Sequence, residues 1–250
     1  MFLAPGRMLY AGALGPTSVH AHHAYQIAIG LRQPLAFRTA EAGELTGCAF
    51  VIPSDAPHAV ATPCPAAVLV YVDPEHMLGR RLRRACEQIE DTDWVTLAAP
   101  LSGWRVPLPD DWEQAMSFID DLVHIIAPNR AHSKPVHPAV MRATVSLKRR
   151  LQDGQSEVSL VALAREANLS ASRLSHLFAE SVGIPLRPYV LWQRMIMAAT
   201  AIEAGLTLTA AAHHAGFTDS AHLTHTFHRM FGVSPSEGVG AIEWVVRPST

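Results

Sequence analysis

One pattern occurs twice in the rear of this 250-residue chain, and it limits what that region can fold into. In the copy at residues 207–235, apolar residues recur at helical spacing on both sides of Gly216, which interrupts the helix. A polar residue among positions 218–220 can cap the helix that follows, and Gly232 ends it. Two short helices joined by a tight turn form a helix-turn-helix, although this stretch alone is also compatible with a plain α-hairpin.

The other copy lies about 48 residues earlier and has the same apolar, turn and cap positions. Residues 164–170 match residues 212–218, and residues 174–183 match residues 223–232 with one extra residue in the later copy. Both turns carry a residue type that easily adopts the left-handed conformation, Asn168 and Gly216. A predicted helix over 185–205 connects the copies and could hold their second helices roughly 34 Å apart, one turn of DNA. Duplication of this kind favours DNA binding over simple packing.

Charge divides the chain into two parts. Residues 1–133 contain 9 Lys and Arg against 14 Asp and Glu, whereas residues 134–250 contain 11 against 8. We therefore predict a front domain over 1–127, a linker over 128–136, where Pro and polar residues show no apolar pattern, and a rear domain over 137–250. With no long apolar run and no signal peptide, we expect a cytoplasmic protein that does not enter the membrane. Cys48 and Cys64 are expected to be small buried residues.

The front domain has the pattern of an antiparallel β structure. Four short β-rich runs, 25–31, 36–39, 47–53 and 66–73, are separated by turn residues at the spacing of a barrel or sandwich. On a regular strand, alternation would place the side chains of residues 20, 22 and 26 on one face. Helices are predicted at 74–90 and 110–127. The apolar stripe of the second either packs on the barrel or forms a dimer interface.

The histidines of the front domain resemble the two motifs of the cupin family. The first motif is matched by His20, His22 and Gln26, with Gln in place of Glu, and the second by Gly47, Pro53 and His58. The resemblance implies a divalent transition metal bound by His20, His22, Gln26 and His58. Imidazole suits Zn, Fe, Ni, Cu or Mn. The alternative is a pocket whose histidines bind an organic effector or one another.

The rear domain resembles the DNA-binding domain of AraC/XylS-type transcription regulators. The signature of that family is matched by residues on both sides of the second turn, namely Ala212, Gly216, Phe217, Asp219, Leu223, Phe227, Phe231, Gly232, Ser234 and Pro235. The resemblance implies DNA contacts from both second helices: Ser172, Arg173, Ser175 and His176 in the first, and Ser220, Ala221, His222 and His225 in the second. Arg194, in the connecting helix, is expected to contact phosphate or to have a structural role. Where many members carry Arg or Lys, this chain has His176 and His225.

These patterns predict an α+β chain, with an N-terminal cupin-like antiparallel β-barrel and helices followed by an all-α domain with two helix-turn-helix motifs. The function predicted is that of a one-component transcription regulator whose front domain senses a small molecule or a metal ion. Its expected partners are promoter DNA, the effector, a second copy of the chain in a homodimer, and RNA polymerase. The alternative is a metal-dependent cupin oxygenase or isomerase tethered to DNA. Gln26 and the lack of an acid/base pair beside the histidines argue against that alternative, and no catalytic residue is assigned.

Overall fold

The computed structural model describes residues 1–40, 42–88, 94–103, 107–128, 137–154, 158–182, 184–231 and 245–246. The chain divides into two compact units. Unit 1 contains Met1–Leu3, Arg7–Arg130 and Phe227–Thr250, and unit 2 contains Ala4–Gly6 and Ala131–Thr226. Most of the predicted linker, residues 129–136, lies outside the described residues. The predicted domain boundaries therefore stay a prediction.

The β structure of unit 1 consists of two sheets within the described residues. The strands are β1 (Phe2–Ala4), β2 (Arg7–Leu14), β3 (Tyr25–Gly30), β4 (Leu35–Thr39), β5 (Gly43–Gly47), β6 (Ala49–Ile52), β7 (Ala59–Val60), β8 (Cys64–Val72) and β9 (Val245–Val246). The larger sheet has the order β6-β3-β8-β2-β1-β9, and the smaller one β5-β4-β7. The pairings β2–β8, β3–β6, β3–β8, β4–β5 and β4–β7 are antiparallel, and that of β1 with β9 is parallel. The predicted α+β class with an antiparallel front is confirmed.

The centre of unit 1 is apolar because the central strands β3 and β8 are buried along most of their length. Ile27 and Val70, which pair across these strands, are completely buried. The two sheets meet through Phe37 of β4 and Phe50 of β6, whose ring centroids lie 4.9 Å apart. Burying each such side chain contributes about 1.5–3 kcal/mol to folding.

In the described part of unit 1, three helices and a short 3-10 turn follow β8. They are α1 (Met77–Cys86), α2 (Trp94–Leu97), the 3-10 turn (Ala99–Leu101) and α3 (Trp112–Ile126). Asp111 caps α3 by accepting a hydrogen bond from the backbone N–H of Gln114 at 2.8 Å. The apolar stripe of α3 is buried within the single chain, with Ile119 and Leu122 at 0% exposure. Of the two roles expected of this stripe, packing within one chain is therefore the one that the structure shows.

Unit 2 contains the predicted duplication. Its helices are α4 (Pro138–Gln152), α5 (Leu160–Glu166), α6 (Ala171–Val182), α7 (Leu186–Glu203) and α8 (Leu208–His214). Helix α9 (Ser220–Phe231) begins in unit 2 and passes the boundary at Phe227. Helices α5 and α8 have 7 residues each, and α6 and α9 have 12 each. Helix α5 begins 48 residues before α8 and α6 begins 49 before α9, as the sequence comparison predicts.

The two motifs also share their caps and turns. Ser159 and Thr207 cap the first helices through bonds from the N–H groups of Ala162 and Ala210. At the turns, Asn168 has φ of 56° and Gly216 has φ of 78°. Both residues adopt the left-handed conformation that their types favour. The same local chemistry therefore builds both turns.

In the described part of the chain, no helix is both long enough and apolar enough to cross a membrane. Cys64 is buried as expected, but Cys48 is exposed. The expectation for Cys48 was wrong because this residue lies between β5 and β6, where the chain changes sheets.

Candidate ligand site and nucleic-acid interface

The three predicted histidines of unit 1 come together. One ring nitrogen from each of His20, His22 and His58 lies within 4.8 Å of those of the other two. The backbones of His20 and His58 exchange two N–H···O bonds of 2.9 Å, which form an isolated antiparallel bridge. Gln26 joins the group, with its Oε1 2.7 Å from Nε2 of His22.

Of the residues considered for alternation on a regular strand, only Gln26 lies on one. Strand β3 begins only at Tyr25, and the two preceding histidines lie on the segment that leads into it. That segment is held by backbone bonds instead, including one of 2.9 Å from the N–H of Asp55 to the carbonyl of His22. The predicted convergence is therefore real, but loop hydrogen bonds produce it rather than strand alternation.

Backbone carbonyls set the tautomers of all three histidines. Nδ1 of His20, His22 and His58 lies 2.9 Å from the carbonyl oxygens of Ser18, Ala24 and Ala56, respectively. A carbonyl oxygen can only accept, so each Nδ1 must donate its hydrogen. Each neutral ring then has its lone pair on Nε2. At His22 the Gln26 amide must therefore turn its NH2 group toward Nε2, because an amide oxygen has no hydrogen to donate. Backbone bonds of this kind commonly orient metal-binding histidines.

Burial keeps the inner rings neutral. His22 and His58 are each 1% exposed, and this burial lowers the pKa of both, that of His58 to about 3. Phe37 and Trp94 meet His58 edge-on, and Tyr71 meets His22 in the same way. Neutral imidazoles with an apolar surround are suited to bind a borderline transition metal.

A cavity of about 230 Å³ opens beside the histidine cluster. Its wall is mainly apolar and includes Met8, Leu14, Phe37, Val60, Leu69 and Tyr71. Three of the four predicted ligands, His20, Gln26 and His58, also face it. Among the described residues that line it, none is Asp, Glu, Lys or Arg. The structure thus joins a polar cluster to a small apolar chamber.

Sequence reasoning missed the side of the chamber that β2 provides. No predicted strand included Met8 or Tyr10, although the run RMLYAGAL of β2 has β-forming residues at its start. The small residues Ala11, Gly12 and Ala13 that follow weaken the strand pattern. Trp94 was also missed, since its contact with His58 joins segments far apart in the sequence.

The predicted DNA-contacting residues of α6 lie on its outward side. Ser172, Arg173 and His176 are exposed, and Ser175 is half-buried. Leu174 and Phe178 of the same helix are completely buried. The side chain of Ser170 accepts a bond from the N–H of Arg173 at 3.2 Å, which caps the helix where that arginine begins its exposed face.

Helix α9 repeats this arrangement. Asp219 accepts a 2.7 Å bond from the N–H of His222, so this residue is the cap that the sequence left open among three. Ala221, His222 and His225 are exposed, and Ser220 is half-buried. The ring of His222 contacts the turn before α9, where its Nδ1 lies 3.0 Å from the hydroxyl of Thr218.

Arg194 of α7 packs at the second turn. A Cβ built on Gly216 would lie 3.4 Å from Nε of Arg194 and 3.7 Å from its Cζ. Partial burial also lowers the pKa of this guanidinium. Of the two roles expected for Arg194, this position favours the structural one.

Comparison with known proteins identifies the rear of the chain. Residues 163–238, which include both motifs, match a family model described as a helix-turn-helix domain. This match confirms the helix-turn-helix domain predicted for the rear of the chain, and with it the predicted resemblance of these residues to AraC-type DNA-binding domains. It also supports the predicted function of a DNA-binding regulator.

Solved structures show a weaker likeness to this chain. ToxT from Vibrio cholerae O395 is 11% identical, with 93% of this chain and 96% of that one covered and a TM-score of 0.47. The C-terminal domain of AraT, a response regulator from Geobacillus stearothermophilus, is 22% identical, with 47% and 95% covered and a TM-score of 0.38. The AraC-like transcriptional activator CuxR is 15% identical, with 84% and 82% covered and a TM-score of 0.28. No curated protein matches the chain.

Proposed function

We propose that the protein is a one-component regulator that binds promoter DNA through α6 and α9 and binds its effector in the chamber of unit 1. The observation that carries the DNA part is the repeated motif, in which both second helices have an equivalent cap and an exposed polar face. Helix α7 has 18 residues and is therefore about 27 Å long, which is of the order of one DNA turn.

Arg173 is the proposed base reader of the first motif. It is exposed near the N-terminal end of α6, the part of a recognition helix that meets base edges. An arginine that binds guanine in a bidentate manner discriminates by about 1–3 kcal/mol. Ser172 and Ser220 are proposed to bind bases or phosphates, and the neighbouring histidines to contribute single hydrogen bonds.

Mapping of chromatin sites, followed by gel-shift assays on the fragments found, tests the DNA proposal. The full chain should bind them specifically, and Arg173→Ala should weaken binding by about 5- to 150-fold. Arg38→Ala is the matched control, because Arg38 is also exposed but belongs to β4 of unit 1. Specific binding that Arg173→Ala leaves intact would exclude the proposed reader, and the absence of any specific site would exclude the function.

For the sensor, we propose that His20, His22 and His58 bind one divalent transition metal, with the Gln26 amide as a weak fourth ligand. The convergence of three rings whose Nδ1 atoms are already engaged supports this proposal. A bound metal would supply a positive centre at the edge of the chamber. Metal analysis and zinc titration of protein without a His-tag test this proposal. The variant His22→Ala should abolish zinc binding. The control variant His23→Ala should preserve it, because His23 lies beside Asp55 on the other side of the segment. If His23→Ala removed binding and His22→Ala did not, the site would be elsewhere.

A catalytic function is not part of the proposal. Where the cupin motif has a carboxylate, this chain has Gln26, which lies beside His22. Its amide cannot act as an acid or a base. Burial also raises the pKa of Tyr71, so its hydroxyl keeps its proton. The aromatic neighbours therefore supply walls and no proton acceptor.

A homodimer remains the proposed assembly. The outward face of α1 carries the exposed Arg83 and Arg84, and that of α3 carries the exposed Glu113 and Asp121. In a twofold pair the basic face of one copy can meet the acidic face of the other. Sedimentation of the full chain tests this, and Arg84→Glu should shift it toward monomer. RNA polymerase is a further proposed partner, for which transcription in vitro is the test.

A further inference from the structure

The histidine cluster supplies no negative charge to balance a bound cation. Its donors are three imidazoles and one amide, and all four are neutral. Gln26 is 3% exposed and stands where the cupin motif has a carboxylate. A divalent metal bound there would keep its full charge at the edge of an apolar chamber, and an uncompensated buried charge is costly.

The surroundings do not supply the missing charge either. Among the described residues that line the chamber there is no acidic side chain. Asp55 is the acidic residue on the loop that precedes His58, but its side chain is 70% exposed and pairs with His23 at 3.4 Å. In the part of the chain that the structure describes, no side chain at the site supplies that charge, so an anion from solution, either hydroxide or an organic ligand, would supply it.

The chamber also limits what kind of anion could enter. Two of its polar side chains already bond to the backbone: the hydroxyl of Tyr10 donates to the carbonyl of Ala13 at 2.8 Å, and that of Thr17 accepts from the N–H of Val60 at 2.9 Å. The rest of the wall is largely aliphatic or aromatic, and the volume is about 230 Å³. A molecule with one charged end toward the histidines and a small apolar body fits this distribution.

We infer that the effector is a small organic carboxylate with an apolar body, which binds together with the metal because it supplies the charge that Gln26 does not. This inference rests on the proposed metal site and gives the sensor its ligand class. Metal and anion should then raise each other's affinity by the same factor, since coupling between two binding events is reciprocal. Each should bind alone, but more weakly than in the presence of the other.

Calorimetric titration of the full chain with zinc and cyclohexanecarboxylate tests the coupling. The carboxylate should bind the zinc-loaded protein at least about tenfold more tightly than the metal-free protein, a coupling of common size. Cyclohexanecarboxamide has the same shape without the charge and should show no zinc dependence. Equal affinity of the carboxylate with and without zinc, or equal binding of the amide, would overturn the inference.

A single substitution tests the charge argument from the protein side. Gln26→Glu places a carboxylate beside His22, so zinc alone should bind at least about tenfold more tightly and the anion should lose its coupling to zinc. Gln88→Glu makes the same change at an exposed position near the end of α1 and should alter neither. Retained anion coupling in Gln26→Glu would contradict the inference. Failure of both the native chain and Gln26→Glu to bind zinc would instead refute the proposed metal site itself.

Discussion

The left-handed turn of the second motif allows a quantitative test of how the chain places a recognition helix. Gly216 has φ of 78° between α8 and α9. An alanine Cβ there would lie 3.4 Å from Nε of Arg194, an ordinary contact distance. The substitution Gly216→Ala therefore tests the backbone conformation rather than a steric clash.

The cost can be worked out from two opposing terms. An L-residue in the left-handed region costs about 1–2 kcal/mol. Alanine also restricts the unfolded chain, which returns about 0.4–1 kcal/mol. We expect Gly216→Ala to destabilise unit 2 by about 1 kcal/mol, which lowers the melting temperature of a domain of this size by roughly 4–8 °C.

Calorimetry of the full chain measures this shift, and two variants serve as controls. Asn168→Gly changes the equivalent turn, where φ is 56°, and should stay within about 0.5 kcal/mol because glycine adopts that conformation freely. Gly15→Ala adds a Cβ in open space where φ is not left-handed and should also be nearly neutral. A melting temperature for Gly216→Ala at or above that of the native chain would refute the reasoning.

Two further outcomes follow from the structure. Asp219→Ala removes the 2.7 Å cap bond from the N–H of His222 and should lower the free energy of unfolding by about 1 kcal/mol. Asp219→Asn keeps an accepting oxygen and should lower it much less. Equal losses in the two variants would argue against a capping role. His76 caps α1 by accepting from the N–H of Leu78, and burial, with Arg7 and Arg80 nearby, lowers its pKa to about 3. The unfolded chain takes up this proton below about pH 6.5 and the folded chain does not, so the contribution of His76 is complete above that pH and is lost as the pH falls toward 3. Denaturant titrations should show a weaker acid dependence in His76→Asn, and an unchanged dependence would contradict this.

Local chemistry made the rear of the chain predictable from sequence. The helix bounds follow from caps and breakers a few residues away, and the choice of Asn168 and Gly216 for the two turns follows from their backbone preferences. Only the cap of α9 needed the structure, since Thr218, Asp219 and Ser220 are all chemically competent.

The front of the chain was predictable only in part, because its site depends on contacts between distant segments. The spacing of His20, His22 and His58 pointed to one cluster, but a backbone bridge rather than a strand brings them together. Nothing in the local sequence reveals that Ser18, Ala24 and Ala56 fix the tautomers, since any residue provides the same carbonyl. The wall from β2 was missed because small residues hide the strand pattern.

The central claim is that the two motifs read successive major grooves on one face of a DNA duplex. Hydroxyl-radical footprinting of the full chain on a mapped operator tests it most directly. We expect two protected patches about one helical turn apart, roughly 10 base pairs. Arg173→Ala should weaken one patch and His225→Ala the other. A single patch, or equal weakening of both patches by either variant, would contradict the claim.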